Sequence, residues 1–166
     1  MRHLLTLLLL LTLTNCGFHL RGTVQLPPAL SAVAVVDAVP ATDIAPDLRS
    51  ALKSRGVQVT DTAPLRLLLR GESFSKRVLS VDSEGRAQEY SLGYTVRFGL
   101  QGDEGLVWLP EESISLSRDL RFDATAVLGT SSEEAQLKEE MRRDAVLRIL
   151  RRLQHAKKPA EQTQSK

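Results

Sequence analysis

The stretch Glu89-Tyr90-Ser91-Leu92-Gly93-Tyr94-Thr95-Val96-Arg97-Phe98-Gly99-Leu100-Gln101 sets an apolar residue at every even position and a small or polar one at every odd position. Successive side chains of a strand point to opposite faces, so this strict period of two specifies a strand with one apolar face and leaves little room for a helix. The aromatic stripe of Tyr90, Tyr94 and Phe98 reads as core. The opposite face, with Ser91, Gly93, Thr95 and Gly99, is small and weakly polar, the kind of surface that water or another molecule approaches.

Working outward, Leu65, Leu67 and Leu69 alternate with Arg66 and Arg70, and a less regular pattern from Phe74 to Val81 leads to a hairpin-turn signal at Asp82-Ser83-Glu84-Gly85. On the other side, Gly102-Asp103-Glu104-Gly105 turns the chain into a further strand region with Leu106 and Trp108 before Pro110, and Ile114, Leu116, Leu120 and Phe122 after it. Lacking an amide donor, Pro110 belongs at an edge or a bulge. Ala32 to Asp37, with Val33, Val35 and Val36, suits a short buried strand. Ile44, Leu48, Ala51 and Leu52 take helical spacing, with Asp43 and Asp47 near the start and Lys53, Arg55 and Gly56 near the end, as the helix dipole favours.

Late in the chain, Ser131 with Glu134 forms a capping-box pattern, and Leu137, Met141, Ala145, Ile149 and Leu153 recur every four residues, with Val146 and Leu150 widening the stripe. This predicts a helix over 132–154. The order strand, helix, three strands, helix predicts an α+β fold: a single mixed or antiparallel sheet of about four strands with two helices packed on one face.

The N-terminus reads as an address. Met1-Arg2-His3 is followed by a leucine run from Leu4 to Leu13 broken by Thr6 and Thr12, and then by Thr14-Asn15-Cys16. A membrane span needs about 20 apolar residues, so residues 1–15 read as a signal peptide. The cysteine directly behind it resembles the bacterial lipoprotein pattern, which implies cleavage before Cys16 and acylation of its thiol and new amino group. Asn15 stands where that pattern has Gly, Ala or Ser. Gly17, rather than Asp, implies release toward the outer membrane. Residues 16–31, with Pro27-Pro28, read as a lipidated N-terminus and extended linker, 32–155 as a periplasmic α/β domain and 156–166 as a disordered tail.

The reactive chemistry is thin. One cysteine excludes a disulfide within the chain, and His3 lies in the signal, leaving His19 and His155. No zinc set, cofactor motif or nucleophile with its base can be assembled, and the carboxylate pairs Glu111-Glu112 and Glu139-Glu140 are adjacent in sequence and poorly placed to face one substrate. The chain therefore reads as a non-enzyme without metal or cofactor. Lys138 to Lys158 carries eight Lys or Arg against three Asp or Glu. No base-reading motif accompanies that charge, so nucleic acid is not expected. It reads as a solvated helix face, or as a contact for an acidic partner or lipid headgroups.

Cys16-Gly17-Phe18-His19-Leu20-Arg21 resembles the opening of the LptE family of LPS-assembly lipoproteins. The similarity extends through the strand and helix ending near Gly56, the turn Glu84-Gly85 followed by Ala87-Gln88-Glu89-Tyr90, and the late helix with Lys138-Glu139-Glu140-Met141. This resemblance implies an outer-membrane protein, lipid-anchored and facing the periplasm or lying in a barrel lumen. It would plug and help assemble the LptD β-barrel and take part in delivering lipopolysaccharide to the surface. It further implies lipopolysaccharide contacts through basic side chains near the hairpin turn and the start of the late helix, here Arg86, Lys76, Arg77 and Lys138. His19 and Arg21 would position the anchored segment. The alternative is a stand-alone envelope lipoprotein that binds peptidoglycan or another envelope protein.

Overall fold

The computed structural model describes residues 25–37, 42–121 and 127–159. The signal peptide, Cys16 with the five residues after it, Phe122 and residues 160–166 of the expected tail lie outside the described residues. Five strands form one mixed sheet in the order β2-β1-β3-β4-β5: β1 (Ala32–Asp37), β2 (Gln58–Val59), β3 (Leu65–Val81), β4 (Ala87–Gln101) and β5 (Val107–Arg121). β1 runs parallel to both β2 and β3, while β3–β4 and β4–β5 are antiparallel. The fifth strand, β2, has two residues, too few to register as a period in the sequence. Two helices, α1 (Ile44–Lys53) and α2 (Val127–Gln154), pack against each other and against the sheet.

The period-two stretch lies within β4, and Leu92, Tyr94, Val96, Phe98 and Leu100 are all buried under the helices. Leu67 and Leu69 oppose Leu100 and Phe98. Ile114, Leu116 and Leu120 continue the layer on β5, and α2 closes it with Met141, Ala145, Val146, Ile149, Leu150 and Leu153. Pro110 sits on the edge strand β5 at a bulge, where three residues of β5 span two of β4 between the Phe98–Glu112 and Leu100–Leu109 pairs. There the missing donor leaves no ladder bond unmade.

A second bulge decides how β3 is read. Leu69 opposes Phe98 and Gly71 opposes Arg97, so Arg70 is an extra residue. An extra residue reverses which side chains face the helices. Before it the odd positions Leu65, Leu67 and Leu69 point inward; after it the even positions Glu72, Phe74, Lys76 and Val78 do, because they oppose Val96, Tyr94, Leu92 and Tyr90. This is the physical source of the irregular pattern from Phe74 onward.

The late helix begins five residues before the expected Ser132, so the capping-box pair lies inside it. The pair therefore does not mark the helix start, and the Glu134 side chain reaches Lys76, 2.6 Å away. Beyond the helix end Ala156 is buried against the core.

The start of α1 is capped from the sheet. Asp43 makes no side-chain cap, and the Ile44 amide instead donates to Glu72 Oε2 at 3.1 Å. The Tyr94 hydroxyl donates to Glu72 Oε1 at 2.6 Å, and Arg142 Nε lies 3.9 Å from the same oxygen. Arg142 also reaches Glu139 at 2.8 Å and Asp43 at 3.3 Å. Burial, reinforced by the carboxylate, raises the Tyr94 phenol far above its ordinary value of 10.0, so it stays a neutral donor. Its contribution is complete below that value and is lost only as pH climbs above it.

Removing a partner from such a pair leaves buried charge unpaired. Glu72→Ala is expected to cost about 3 kcal/mol, and Tyr94→Phe about 2 kcal/mol. Arg148→Ala, whose exposed side chain makes no ion pair among the described residues, should cost under about 0.5 kcal/mol. Urea unfolding of the three variants checks the order, and a Glu72→Ala variant as stable as Arg148→Ala would refute the role given to this carboxylate.

Candidate functional site

The candidate cations separate into three environments. At the hairpin tip Gly85 takes a φ of 79°, a conformation open to glycine at little steric cost. Asp82 Oδ1 accepts the backbone amides of Glu84 and Arg86 at 3.0 and 2.8 Å. Arg86, the cation nearest the turn, is already engaged: its Nε donates to Asp82 Oδ2 at 2.7 Å and its Nη2 to Glu84 at 3.2 Å. The Arg86 amide, and then its guanidinium, hold the Asp82 carboxyl below the ordinary carboxylate value. The tip carries two acids against one arginine, so it offers no free positive charge.

Lys76 and Lys138 converge on the helix side. Lys76 sits 4.3 Å from the Tyr90 ring centroid and pairs with Glu134, while Lys138 lies 5.1 Å from the Phe74 ring centroid. These contacts are rungs of one ladder between β3 and α2: Glu72 with Arg142, Phe74 with Lys138, Lys76 with Glu134. Two strand residues rise about 6.7 Å and four helix residues about 6.0 Å. Alternate strand positions therefore keep step with every fourth helix position. An ammonium over an aromatic face is held by the ring quadrupole.

Arg77 lies apart, on the opposite face of β3, on the rung Arg77–Ser91–Asp119. That face carries the rungs Ser75–Gly93–Ser117 and Ser73–Thr95–Ser115, with hydroxyl pairs Ser91–Ser117 at 3.1 Å and Thr95–Ser115 at 3.2 Å. A Cβ on Gly93 would meet Ser75 Oγ at 2.6 Å, so glycine leaves room for that hydroxyl on the face. Exposed Val78, Leu79 and Val81 follow Arg77 toward the tip.

The four cations thus do not form one cluster: Lys76 and Lys138 come together, Arg77 faces away and Arg86 is exposed but paired with Asp82 and Glu84. The sequence reading missed Phe74, Tyr90 and Glu134 as their partners, since the Arg70 bulge hides the shared face. Among the described residues no group of three His, Cys, Asp or Glu side chains could hold a metal ion, and no helix is long and apolar enough to cross a membrane.

Residues 30–153 match the protein family described as LptE, lipopolysaccharide-assembly. The chain belongs to the LptE family. LPS-assembly lipoprotein LptE of Photorhabdus laumondii is 32% identical over 162 residues, spanning 92% of this chain and 87% of that protein. Its counterpart in Pectobacterium atrosepticum is 28% identical, spanning 92% and 86%. Among solved structures, lipoprotein B from Nitrosomonas europaea superposes with a TM-score of 0.69 at 28% identity, over 81% of this chain and 88% of that one. The rare lipoprotein B from Shewanella oneidensis gives 0.64 at 26% identity, over 74% and 92%. The LptE family match begins at Leu30 and does not include Cys16–Arg21.

Asp82 supplies a pH test of the tip. A lowered folded-state pKa means that its contribution is present above the ordinary value of 3.8 and is lost as pH falls through the lower folded value. The Glu84 and Arg86 amides should stay protected from exchange through pH 4 and lose protection below that range. Asp82→Ala should expose both amides at neutral pH while leaving the Leu92 and Val96 amides protected; unchanged exchange at the tip would refute the turn's dependence on Asp82.

Proposed function

We propose that this LptE-family chain is a lipid-anchored outer-membrane protein that fills the lumen of an LptD-like β-barrel and takes part in lipopolysaccharide transport without catalysing a reaction. The observation that supports it most directly is the face of the β3–β4–β5 sheet turned away from both helices, whose centre is lined with short hydroxyls in cross-strand pairs and can lie close against a protein wall, with the charges of Arg77 and Asp119 toward the hairpin end. Both helices occupy the other face, so the domain brings one rigid floor and one helical side to its partner. The names of the relatives, LPS-assembly lipoproteins, support the same reading. A stand-alone envelope lipoprotein would need no such floor. Pull-down from mild detergent through a C-terminal tag separates the two: an outer-membrane β-barrel and lipopolysaccharide should co-purify, and recovery of peptidoglycan or another envelope protein without a barrel would overturn the proposal.

Anchorage is assigned to Cys16. Intact-mass measurement should find the mature chain beginning at Cys16 with its acyl chains, and Cys16→Ala should accumulate as unacylated precursor. A mature wild-type chain with a free thiol would exclude the anchor.

Lipopolysaccharide contact is assigned first to Lys138 and Lys76, where ammonium groups suit phosphate and the Phe74 and Tyr90 rings offer apolar surface beside them. Arg77 would serve the opposite face, and Arg86 contributes least because Asp82 and Glu84 already hold it. A charge-assisted contact contributes about 1.5–3 kcal/mol. Lys138→Glu should therefore weaken lipopolysaccharide binding about ten- to hundredfold with little change in Tm. Arg86→Gln should change it far less, and equal losses in the two variants would refute this ranking.

A further inference from the structure

The topology gathers several features at one end of the sheet. β1 starts level with β3, through the Val33–Leu65 pair, and the chain reaches it through Leu26, packed on the core, and buried Leu30. Whatever tethers the N-terminus therefore enters at this end. α1 starts at Glu72 and runs back so that, after its last residue Lys53, β2 pairs with the first residue of β1. α2 runs the same way, from Glu134 beside Lys76 to Arg152, 3.0 Å from Glu112. Both helix C-termini thus point toward the tether end, and the hairpin tip of Asp82 to Arg86 stands at the other.

Charge follows this direction. The first half of α2 carries Glu133, Glu134, Glu139 and Glu140; its last turns and the residues after it carry Arg148, Arg151, Arg152, Lys157 and Lys158. Exposed Lys53 and Arg66 stand at the same end. Among the described residues the exposed acids there include Asp61, Asp103 and Glu104, the last two on the β4–β5 turn, and Glu111, which pairs with Arg70 and Arg97. Arg148, Arg151, Lys157 and Lys158 are exposed and form no ion pair among the described residues. Exposed Leu106 and Val107 flank that turn.

We propose that this basic end of α2 is a docking surface for anionic lipid headgroups of the membrane leaflet that holds the anchor, an inference that rests on the acylation of Cys16. Cys16 is nine residues before Gln25, a reach of at most about 30 Å. Before the barrel is engaged, the tether therefore keeps the domain close to that leaflet and leaves its orientation to be set by the surface it presents. The helix carbonyl ends favour cations there, and those cations meet the headgroup plane first. An acyl anchor plus a basic patch is a two-part attachment in which the lipid gives residence and the charge gives orientation.

The single cysteine is taken up by the anchor, so an introduced thiol can be labelled alone. Acylated full-length protein carrying Gln154→Cys, or Ser83→Cys at the far tip, is labelled with a donor dye and reconstituted into vesicles containing an acceptor-labelled lipid. One set is pure phosphatidylcholine and the other contains phosphatidylglycerol. Each basic side chain near an anionic surface shifts the docked population by about fivefold. Energy transfer from position 154 should rise in the phosphatidylglycerol vesicles. Raising NaCl from about 0.1 M to 1 M, which shortens the screening length from about 10 Å to 3 Å, should reverse the rise. Arg148→Glu with Arg151→Glu should abolish it, and Lys157→Glu with Lys158→Glu, outside the helix, should weaken it without touching the fold. Position 83 should not respond. Equal transfer from 154 in both vesicle types, or a rise that persists in the charge-reversed chains, would overturn the proposal. Flotation with pure phosphatidylcholine vesicles reports the anchor separately, so failure to float there sinks the acylation reading and not the docking surface.

Discussion

The rise of two strand residues and the rise of four helix residues nearly coincide, and this match holds β3 and α2 in one register along three successive rungs. Glu72 is the rung on which the others depend, because it also caps α1 and receives the Tyr94 hydroxyl. A well-packed apolar side chain in its place could give comparable stability, since desolvating a carboxylate and a guanidinium is expensive. What the ion pair supplies is position. Arg142 lies among Glu72, Glu139 and Asp43, and Lys138, one turn earlier on the same helix face, stands over the Phe74 ring. The candidate site is a consequence of how the helix is fastened.

The outer side of the sheet follows a different rule. Short hydroxyl side chains in cross-strand pairs form weak mutual bonds and add no driving force for a second helical layer. The domain keeps two layers, and its charge runs along the helices. Lysines that sit beside aromatic rings lie nearer the hairpin, while unpaired arginines gather where the chain enters the sheet.

How far the sequence disclosed this can be told residue by residue. Leu92 to Phe98 declared their face because β4 is regular over that span and fully buried on one side only. The α2 stripe from Met141 to Leu153 was equally plain, since every member is buried or nearly so. Phe74 and Lys76 were obscured by Arg70, as a bulge leaves no local signature and reverses parity until the next register shift, after Val78. Arg86 looked available because proximity in sequence cannot show that two neighbouring acids fold back onto it. Glu72 was invisible for the reason it matters: its partners come from α1, β4 and α2, each distant along the chain.

The bulge at Arg70 also constrains how this hairpin can diverge among relatives. Between it and the next register shift after Val78, the rungs with α2 and the hydroxyl floor occupy alternate positions of a single strand, so adding or deleting one residue within that segment would exchange the two surfaces beyond the change. Length can change freely only in increments of two, or in single steps matched by another bulge. Glycines, bulges and odd-numbered gaps in an alignment of this hairpin thus form a parity code, in which an isolated indel marks a compensating bulge elsewhere in the same strand.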